Sequence, residues 1–466
     1  MSRKPYPIPR RLIRAVLAVA APLLLCLLLR PAPLLAAPNV LLIVVDDLRA
    51  ELGSYGNPLL RTPNIDRLAG QGVKFTNAFS QFPLCNPSRS SFLLGRYPSD
   101  TGVSGNRTSF RTKHPDYLTL PQHFRQNGYD TISIGKIFHV QDPVSWSENY
   151  LADGGEDSLP SDPRRDAWFW AEGKAADALA DDKITDRALL SLATARTRPW
   201  FLAVGYRRPH TRWVCPKSSV DLYPQAQMPL PVNFYPRPTA PPGVPAAAVR
   251  PRNADLFQNE SVTPERARIA IASYFGCISH VDDQVGRLLG ELDRRRLRGN
   301  TIVVFLSDHG YQLGERGRWS KHGSLYDAVG RVPLIIDAPG TRGRGQASSR
   351  LVELVDLFPT LAQLAGLPAV AGLKGASLAP LLDDPAAARN RPAFAQVGTG
   401  AQGEPGGKTI RTVEWRYTEW TAGKDGVELY DQRNDPLELT NLAQKPAYAT
   451  IVAQMKSKLR NGPFQK

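Results

Sequence analysis

The sequence is poor in cysteine and lacks any dense run of lysine or arginine. Four cysteines occur among 466 residues: Cys26, Cys85, Cys215 and Cys277. A disulfide between Cys215 and Cys277 is permitted outside the cytoplasm, but their spacing does not demand one. Cys277 also falls inside a helical pattern, so we expect two unpaired thiols. Without a dense basic run or a recognised nucleic-acid-binding module, we expect no nucleic-acid partner.

The first 37 residues differ from the rest of the chain. Basic residues precede an apolar run from Ala15 to Leu29, and the small residues Ala36 and Ala37 follow it. This pattern is typical of a secretory signal peptide, so residues 1–37 predict an exported protein, periplasmic or secreted. No stable membrane partner is then expected once the leader is cleaved. A retained N-terminal membrane anchor is the alternative, because Arg30 interrupts the apolar run and Leu35 suits a cleavage site poorly.

The charge of the chain is basic with or without this leader. Removing residues 1–37 takes away six basic residues and no acidic ones, so the net charge falls from +15 to +9. A basic surface suits anionic substrates and steers them over long distances, although it locates no site. The length predicts two or three domains, or one large α/β domain with an appendage.

Two apolar, β-branched runs end in acidic residues. Val40 to Val45 is followed by Asp46 and Asp47, and Thr301 to Leu306 is followed by Ser307, Asp308 and His309. Both runs read as buried parallel strands. A strong helical pattern spans Tyr274 to Leu292, and strands that alternate with helices indicate an α/β fold with a sheet covered on both faces. Ligands of such sheets bind beyond the carboxyl ends of the strands, where both acidic clusters fall.

The second half of the chain predicts further elements and a change of pattern. Residues 216–251 contain ten prolines and read as an extended surface loop. Val332 to Ile336 predicts another buried strand, and Val352 to Ala365 predicts an amphipathic helix. Near Arg389 to Pro392 the pattern changes. We therefore predict a catalytic α/β domain over residues 38–391 and a small C-terminal α+β domain over residues 392–466, whose expected elements are strands Thr409–Val413 and Tyr417–Thr421 and a helix Ala447–Leu459.

Asp46-Asp47 is one of four Asp-Asp pairs, and its position distinguishes it. It alone ends an apolar strand, where two carboxylates repel each other unless a cation offsets their charge. The other pairs are expected on the solvated surface: Asp181-Asp182, Asp282-Asp283 and Asp383-Asp384. Together with Asp308, the first pair offers hard oxygen ligands that favour Ca²⁺ or Mg²⁺. An imidazole ligand at His309 also allows Mn²⁺.

The segment Cys85-Asn86-Pro87-Ser88-Arg89 predicts the start of a short helix that ends near Gly95. Asn86 is a good N-cap, and Pro87 is a good first helical residue. Cys85 would then lie at the positive end of the helix, which stabilises a bound oxyanion and equally lowers the pKa of a thiol. Taken alone, the segment also fits a reactive cysteine or a buried structural cysteine.

Three basic side chains follow predicted strands. Lys136 and His139 come after a short strand at Thr131 to Ile134, and His210 comes after a strand at Trp200 to Gly205. Lys136 can offset charge that builds on a transferred group, and His139 can accept a proton. In isolation, an exposed loop or a structural histidine explains the same residues.

The segment from Cys85 to Arg89 matches the C-x-P-S-R motif of type I, formylglycine-dependent sulfatases, and the chain resembles that family over nearly all of its mature length. The use of histidine at position 309 is similar to the iduronate-2-sulfatase-like branch. The other matching segments are Leu94–Arg96, Gly310–Glu315, Gly317–Lys321, Arg331–Ile336, Asp356–Thr360 and Glu428–Asp431.

The resemblance implies an alkaline-phosphatase-like fold, with a large mostly parallel sheet between helices and a smaller C-terminal α+β domain. It implies that a maturation enzyme oxidises Cys85 to formylglycine, whose hydrate attacks sulfur and later expels sulfate. It assigns the metal, most simply Ca²⁺, to Asp46, Asp47, Cys85, Asp308 and His309.

The remaining site residues carried over from the family are basic. Lys136 and Lys321 would bind sulfate oxygens, His139 would contact the formylglycine hydroxyl, and His210 would contact sulfate and protonate the leaving alkoxide. Arg89 is expected to brace the nucleophile and neutralise neighbouring acids.

The activity that the resemblance implies is hydrolysis of a sulfuric ester of a sulfated carbohydrate. Phosphonate monoester or phosphodiester hydrolysis is the nearest alternative, because related enzymes use the same nucleophile and metal. A non-catalytic protein that binds sulfated glycans, with an unmodified Cys85, is a further alternative.

Overall fold

A computed structural model of the chain describes residues 37–151, 179–399 and 406–464, and the predicted leader lies outside these ranges apart from Ala37. From Pro38 onward the described residues belong to one compact unit. The strands are β1 Asn39–Val45, β2 Val73–Phe79, β3 Asp130–Gly135, β4 Glu148–Tyr150, β5 Trp200–Tyr206, β6 Thr301–Ser307, β7 Arg331–Asp337, β8 Ala347–Glu353, β9 Ala393–Val397, β10 Gly407–Arg411, β11 Trp415–Trp420 and β12 Val427–Asp431. The helices are α1 Pro63–Ala69, α2 Cys85–Leu94, α3 Pro98–Thr101, α4 Leu120–Gln126, α5 Ala180–Ala193, α6 Lys217–Val220, α7 Pro264–Arg294, α8 Asp327–Gly330, α9 Leu357–Leu364, α10 Ala379–Asp383 and α11 Ala449–Arg460.

The larger sheet has eight strands in the order β4-β3-β5-β1-β6-β7-β2-β8. β1 lies at its centre and pairs in parallel with β5 and with β6. β7 runs antiparallel to both of its neighbours, β6 and β2, so the sheet is mostly parallel rather than wholly so. The predicted α/β fold is thereby confirmed.

Both faces of this sheet are buried, which explains the unbroken apolar run of β1. Leu41, Ile43 and Val45 face a core that includes residues of α1, α5 and α7. Val40, Leu42 and Val44 belong to a second core with residues of α2, α4 and α9. Since successive side chains of a strand point to opposite faces, only a strand covered on both sides needs apolar residues at every position.

The second sheet is antiparallel, with the strand order β12-β11-β10-β9. One of its faces packs on α11 through a cluster that contains Ile410, Tyr417, Leu429, Met455 and Leu459. A separate cluster joins Trp420 and Tyr430 of this sheet to Leu325 and Tyr326, which precede α8. The small α+β arrangement near the C-terminus therefore packs against the segment that follows β6.

One element predicted in the second half is partly wrong. The helix predicted over Val352–Ala365 begins at Leu357, because Ala347–Glu353 forms strand β8 beside β2. A capping box between Glu353 and Asp356 starts the turn that leads into α9, so a polar pair interrupts what reads as continuous helical periodicity.

Among the described residues, no helix is both long enough and apolar enough to cross a membrane.

Three carboxylates of the other Asp-Asp pairs are buried rather than solvated. Asp282 accepts backbone N–H bonds from Asn64 and Ile65 at the start of α1. Asp182 lies 3.1 Å from His280 and accepts a hydrogen bond from Gln284. Asp181 accepts hydrogen bonds from two backbone N–H groups that follow β5. These partners compensate burial, and sequence alone does not reveal them because they lie on distant segments.

Candidate active site

The two acidic strand ends lie side by side at the carboxyl edge of the large sheet. Val45 of β1 pairs with Ser307 of β6, so the residues that follow each strand are neighbours. Asp47 adopts the left-handed region with a φ of 64°, which is uncommon for a residue other than glycine. Its carbonyl oxygen accepts a hydrogen bond of 2.7 Å from the hydroxyl of Tyr274, which stabilises this turn.

Asp46, Asp47, Cys85 and His309 form a buried cluster in which one ligand atom of each lies within 4.8 Å of the others. Within the described part of the chain, Oδ1 of Asp47 and Nε2 of His309 are buried without a hydrogen-bond partner. Buried polar atoms without partners are costly, and a divalent cation would satisfy both. The donor set therefore fits a metal ion.

Asp308 lies beside this cluster, but other groups already bind its carboxylate. Oδ2 accepts a 2.7 Å hydrogen bond from Nε of Arg89, and Oδ1 accepts bonds from the backbone N–H groups of Asp47 and His309. Oδ1 also lies 3.8 Å from Nε2 of His309. Burial raises the pKa of Asp308 to about 7, although Arg89 opposes this shift. Its role as a metal ligand remains a prediction.

The two adjacent carboxylates of β1 differ in their electrostatic environments. Burial raises the pKa of Asp46, but Lys136, His210 and other cations outweigh burial and hold this pKa well below its ordinary value. Burial raises the pKa of Asp47 above its ordinary value, although Lys321 opposes the shift. Asp46 is therefore the carboxylate more firmly held as an anion.

Cys85 is the first residue of α2, a helix whose residues are all buried. The N-cap is Leu84, so the predicted cap at Asn86 is wrong. The side-chain amide of Asn86 instead donates to the carbonyl oxygens of Gly105 and Thr108, since these lie within its reach. The helix ends at Gly95, which adopts a φ of 60° as the C-cap.

The thiol of Cys85 lies between a carboxylate and an ammonium group. Its Sγ is 3.4 Å from Oδ1 of Asp46 and 3.6 Å from Nζ of Lys136, which itself forms an ion pair with Asp46. Burial and Asp46 raise the pKa of this thiol. Lys136, Lys321 and His139 outweigh them and hold the pKa well below its ordinary value. The position is thus arranged for an anionic group.

Arg89 joins helix α2 to both acidic strand ends. Its guanidinium is fully buried, donates to Asp308 and lies 3.6 Å from Oδ1 of Asp46. It also donates to the carbonyl oxygens of Lys136 and Ile137, the latter at 3.1 Å. One side chain therefore ties together α2, β1, β6 and the turn after β3.

The other predicted cations converge on the same carboxylates from separate segments. Lys321 is buried, and its Nζ lies 2.7 Å from Oδ2 of Asp47. His210 is half-buried, and its Nδ1 lies 2.7 Å from the carbonyl oxygen of Thr211. Burial and Lys321 lower the pKa of His210, but Asp47 and Asp46 outweigh them and raise it. The structure therefore brings Lys136, Lys321 and His210 to the carboxylate pair, whereas Nδ1 of His139 is buried without a hydrogen-bond partner.

Asp255 is a site residue that the sequence gave no reason to single out. Its Oδ1 lies 3.9 Å from Nζ of Lys321 and 3.6 Å from Nε2 of His322, and its Oδ2 accepts a bond from Ser320. It follows the proline-rich segment, where a lone aspartate carries no motif. Burial raises the pKa of Asp255, but Lys321 and His322 outweigh burial and lower it well below its ordinary value.

Two family models match the chain. The sulfatase model covers residues 38–367, and the model described as N-sulphoglucosamine sulphohydrolase, C-terminal, covers residues 314–464. Together they include every site residue described above.

Individual relatives agree with these matches. An iduronate 2-sulfatase from Mus musculus is 38% identical over 393 residues, covering 71% of this chain and 69% of the relative. A choline-sulfatase from Rhizobium meliloti is 32% identical and covers 88% and 83%. A crystal structure of the phosphonate monoester hydrolase of Agrobacterium radiobacter superposes with a TM-score of 0.75 at 25% identity, covering 91% and 95%. The chain belongs to the sulfatase family, and it is a sulfuric ester hydrolase.

Proposed function

We propose that this protein removes sulfate from a sulfated carbohydrate, with formylglycine at position 85 as the nucleophile and Ca²⁺ in the buried cluster. The contacts of Cys85 are the observation that carries the proposal. Its side chain lies at the start of a buried helix, 3.4 Å from a carboxylate of the cluster and 3.6 Å from Lys136. Iduronate 2-sulfatase among the relatives supports a sulfated sugar as the substrate class.

The site divides into a nucleophile side and an anion-binding side. The hydrate of formylglycine would carry two hydroxyl groups on one carbon, which no encoded side chain does. One oxygen would attack sulfur as the S–O bond to the leaving alcohol breaks, and loss of the proton from the other hydroxyl would then expel sulfate and restore the aldehyde. His139 lowers the pKa of the side chain at position 85, and we assign it as the acceptor of the hydroxyl proton. Lys136 and Lys321 approach the carboxylate pair from different segments, so their ammonium groups can bind the sulfuryl oxygens.

The metal would bind at Asp46, Asp47, His309 and position 85, with Asp308 beside them. When bound, a divalent cation supplies positive charge that stabilises the sulfuryl oxygens. The predominance of oxygen ligands supports Ca²⁺, with Mg²⁺ and Mn²⁺ as alternatives to be compared.

His210 is the proposed proton donor to the leaving oxygen. Because the carbonyl oxygen of Thr211 can only accept a hydrogen bond, Nδ1 of His210 carries the proton at that contact. Nε2 then remains for the substrate. The raised pKa of His210, caused by Asp47 and Asp46 against burial, favours the protonated ring that a general acid requires.

The cellular location of the protein is inferred from its N-terminal sequence and not from its fold. We propose that the protein is exported, periplasmic or secreted, because basic residues, an apolar run and small residues succeed one another in residues 1–37. Because the proposed nucleophile is made from a cysteine, the proposal also requires a formylglycine-generating enzyme as a maturation partner.

The test compares matched sulfate and phosphate esters of the same alcohols and sugars, using purified protein co-expressed with a maturation enzyme. We expect a higher kcat/KM on the sulfate esters and loss of turnover in Cys85→Ala. Cys215→Ala, at a buried free cysteine elsewhere in the fold, serves as the matched control. A preference for phosphate or phosphonate esters would favour the alternative hydrolase, and full turnover by Cys85→Ala would refute the proposed nucleophile.

A further inference from the structure

The segment that carries His210 leaves the large sheet at the end of β5, and beyond His210 it is anchored by Trp213, a buried residue whose ring packs on Tyr274 of α7. Two hydrogen bonds within this segment join residues that are close in sequence. The backbone N–H of His210 donates to the carbonyl oxygen of Arg207 at 2.9 Å, and the indole of Trp213 donates to the carbonyl oxygen of Pro209 at 2.6 Å. On the side nearer β5, the position of His210 therefore depends on what holds Arg207 and Arg208.

Asp181, in the first turn of α5, holds both of those residues. Its Oδ1 accepts a 2.8 Å hydrogen bond from the backbone N–H of Arg207, and its Oδ2 accepts a 3.0 Å bond from that of Arg208. The side chain is 2% exposed, so little water competes with these bonds. Hydrogen bonds from backbone N–H groups to a buried carboxylate are stronger than neutral ones.

The helix that presents Asp181 is itself docked on the same strand. The hydroxyl of Thr185 donates to the carbonyl oxygen of Asp181 at 2.9 Å, and it lies 2.9 Å from the hydroxyl of Tyr206, the last residue of β5. The carboxylate thus has a defined place relative to the strand end that it binds.

We infer that Asp181 is a positioning residue for His210, acting through the two backbone N–H groups that precede Pro209-His210. This inference rests on the proposed function of His210 as proton donor to the leaving oxygen. Because a carboxylate can accept both N–H bonds and a carboxamide only one, Asp181→Asn keeps the shape of the side chain but releases one end of the turn. A displacement of His210 of about 1 Å is enough to impair proton transfer severely.

The readout is the dependence of the rate on the leaving group. A sugar or alkyl sulfate needs protonation of its leaving oxygen, whereas 4-nitrophenyl sulfate releases a stable anion and needs it much less. We expect Asp181→Asn to lower kcat/KM about 10-fold to 100-fold on the alkyl ester and less than about threefold on the aryl ester. In a His210→Gln background, Asp181→Asn should add no further loss.

Asp182→Asn is the matched control. Asp182 is the next residue of the same helix and is equally buried, but it contacts His280 and Gln284 of α7 instead of the turn. Its variant should lose stability without changing the ratio of alkyl to aryl rates. Two results would overturn the inference. One is an equal loss of kcat/KM on both esters in Asp181→Asn, and the other is a loss in the double variant that equals the product of the losses of Asp181→Asn and His210→Gln.

A second measurement is independent of turnover. In protein labelled with ¹³C-histidine, the ring resonance of His210, assigned through His210→Gln, should shift in Asp181→Asn and stay in place in Asp182→Asn. If the protein hydrolysed no sulfate ester, the proposed function would fail while this shift still supported the positioning role. An unshifted resonance would refute the positioning role even in an active sulfatase.

Discussion

Replacement of Arg89 by methionine tests whether this arginine holds the two acidic strand ends together. Methionine keeps an unbranched apolar stem but removes the charge and its donors. Nε of Arg89 lies 2.7 Å from Asp308, and the guanidinium lies 3.6 Å from Asp46, with no exposed surface on the arginine. The substitution therefore leaves two buried carboxylates without their shared cation.

The magnitude follows from that burial. Removal of one partner from a buried ion pair costs about 3–5 kcal/mol, because the remaining charge stays desolvated and uncompensated. Two carbonyl oxygens, of Lys136 and Ile137, also lose a donor. Since folded domains are stable by about 5–15 kcal/mol, we expect Arg89→Met to lose a large fraction of the free energy of unfolding.

Urea unfolding in the presence of a chelator measures this free energy without the added effect of a metal. Arg287→Met is the matched control, because Arg287 pairs with Asp186 where both side chains are about half exposed, and such pairs contribute about 1 kcal/mol or less. If Arg89→Met cost less than about 1 kcal/mol, the arginine would not be the cation that stabilises the buried carboxylates.

Three further predictions concern the metal, pH and backbone packing. Ca²⁺ at 100 times its Kd should stabilise the chelated protein by about 2.7 kcal/mol in thermal unfolding, and an equal effect on Asp47→Asn would refute the site. Burial raises the pKa of Glu353 to about 7, above its value of 4.5 in an unfolded chain, so its neutral form is favoured on folding. Stability should therefore fall by up to about 3 kcal/mol as pH rises from 4.5 through 7, and Glu353→Gln should flatten this slope in urea titrations. Gly205→Ala should lower turnover and stability, because a Cβ there would overlap the backbone of Lys136, whereas unchanged kinetics would show that the turn adapts.

The fold was predictable where apolar periodicity carries the information. β1 and β6 read as buried strands because both faces of the sheet are covered, and α7 reads as a helix over its apolar stripe. The antiparallel direction of β7 was not predictable, since a buried strand has the same apolar pattern in either orientation. The boundary between β8 and α9 depends on the local pair Glu353 and Asp356, which periodicity does not register.

The site was predictable where a residue belongs to a motif or ends a strand. The structure gathers Cys85, Lys136 and Lys321 around the carboxylates of Asp46 and Asp47, as the resemblance implies. The supporting carboxylates were not predictable, because Asp181 and Asp255 act through partners that only the tertiary structure brings near. A buried Asp looks the same in sequence as a solvated one.

Mass spectrometry of the peptide that contains Cys85, taken from protein with measured sulfate-ester turnover, tests the proposed nucleophile most directly. We predict the mass of an aldehyde in place of the thiol, in a fraction that rises with specific activity across preparations. A fully active preparation that carries only the thiol at position 85 would contradict the proposal.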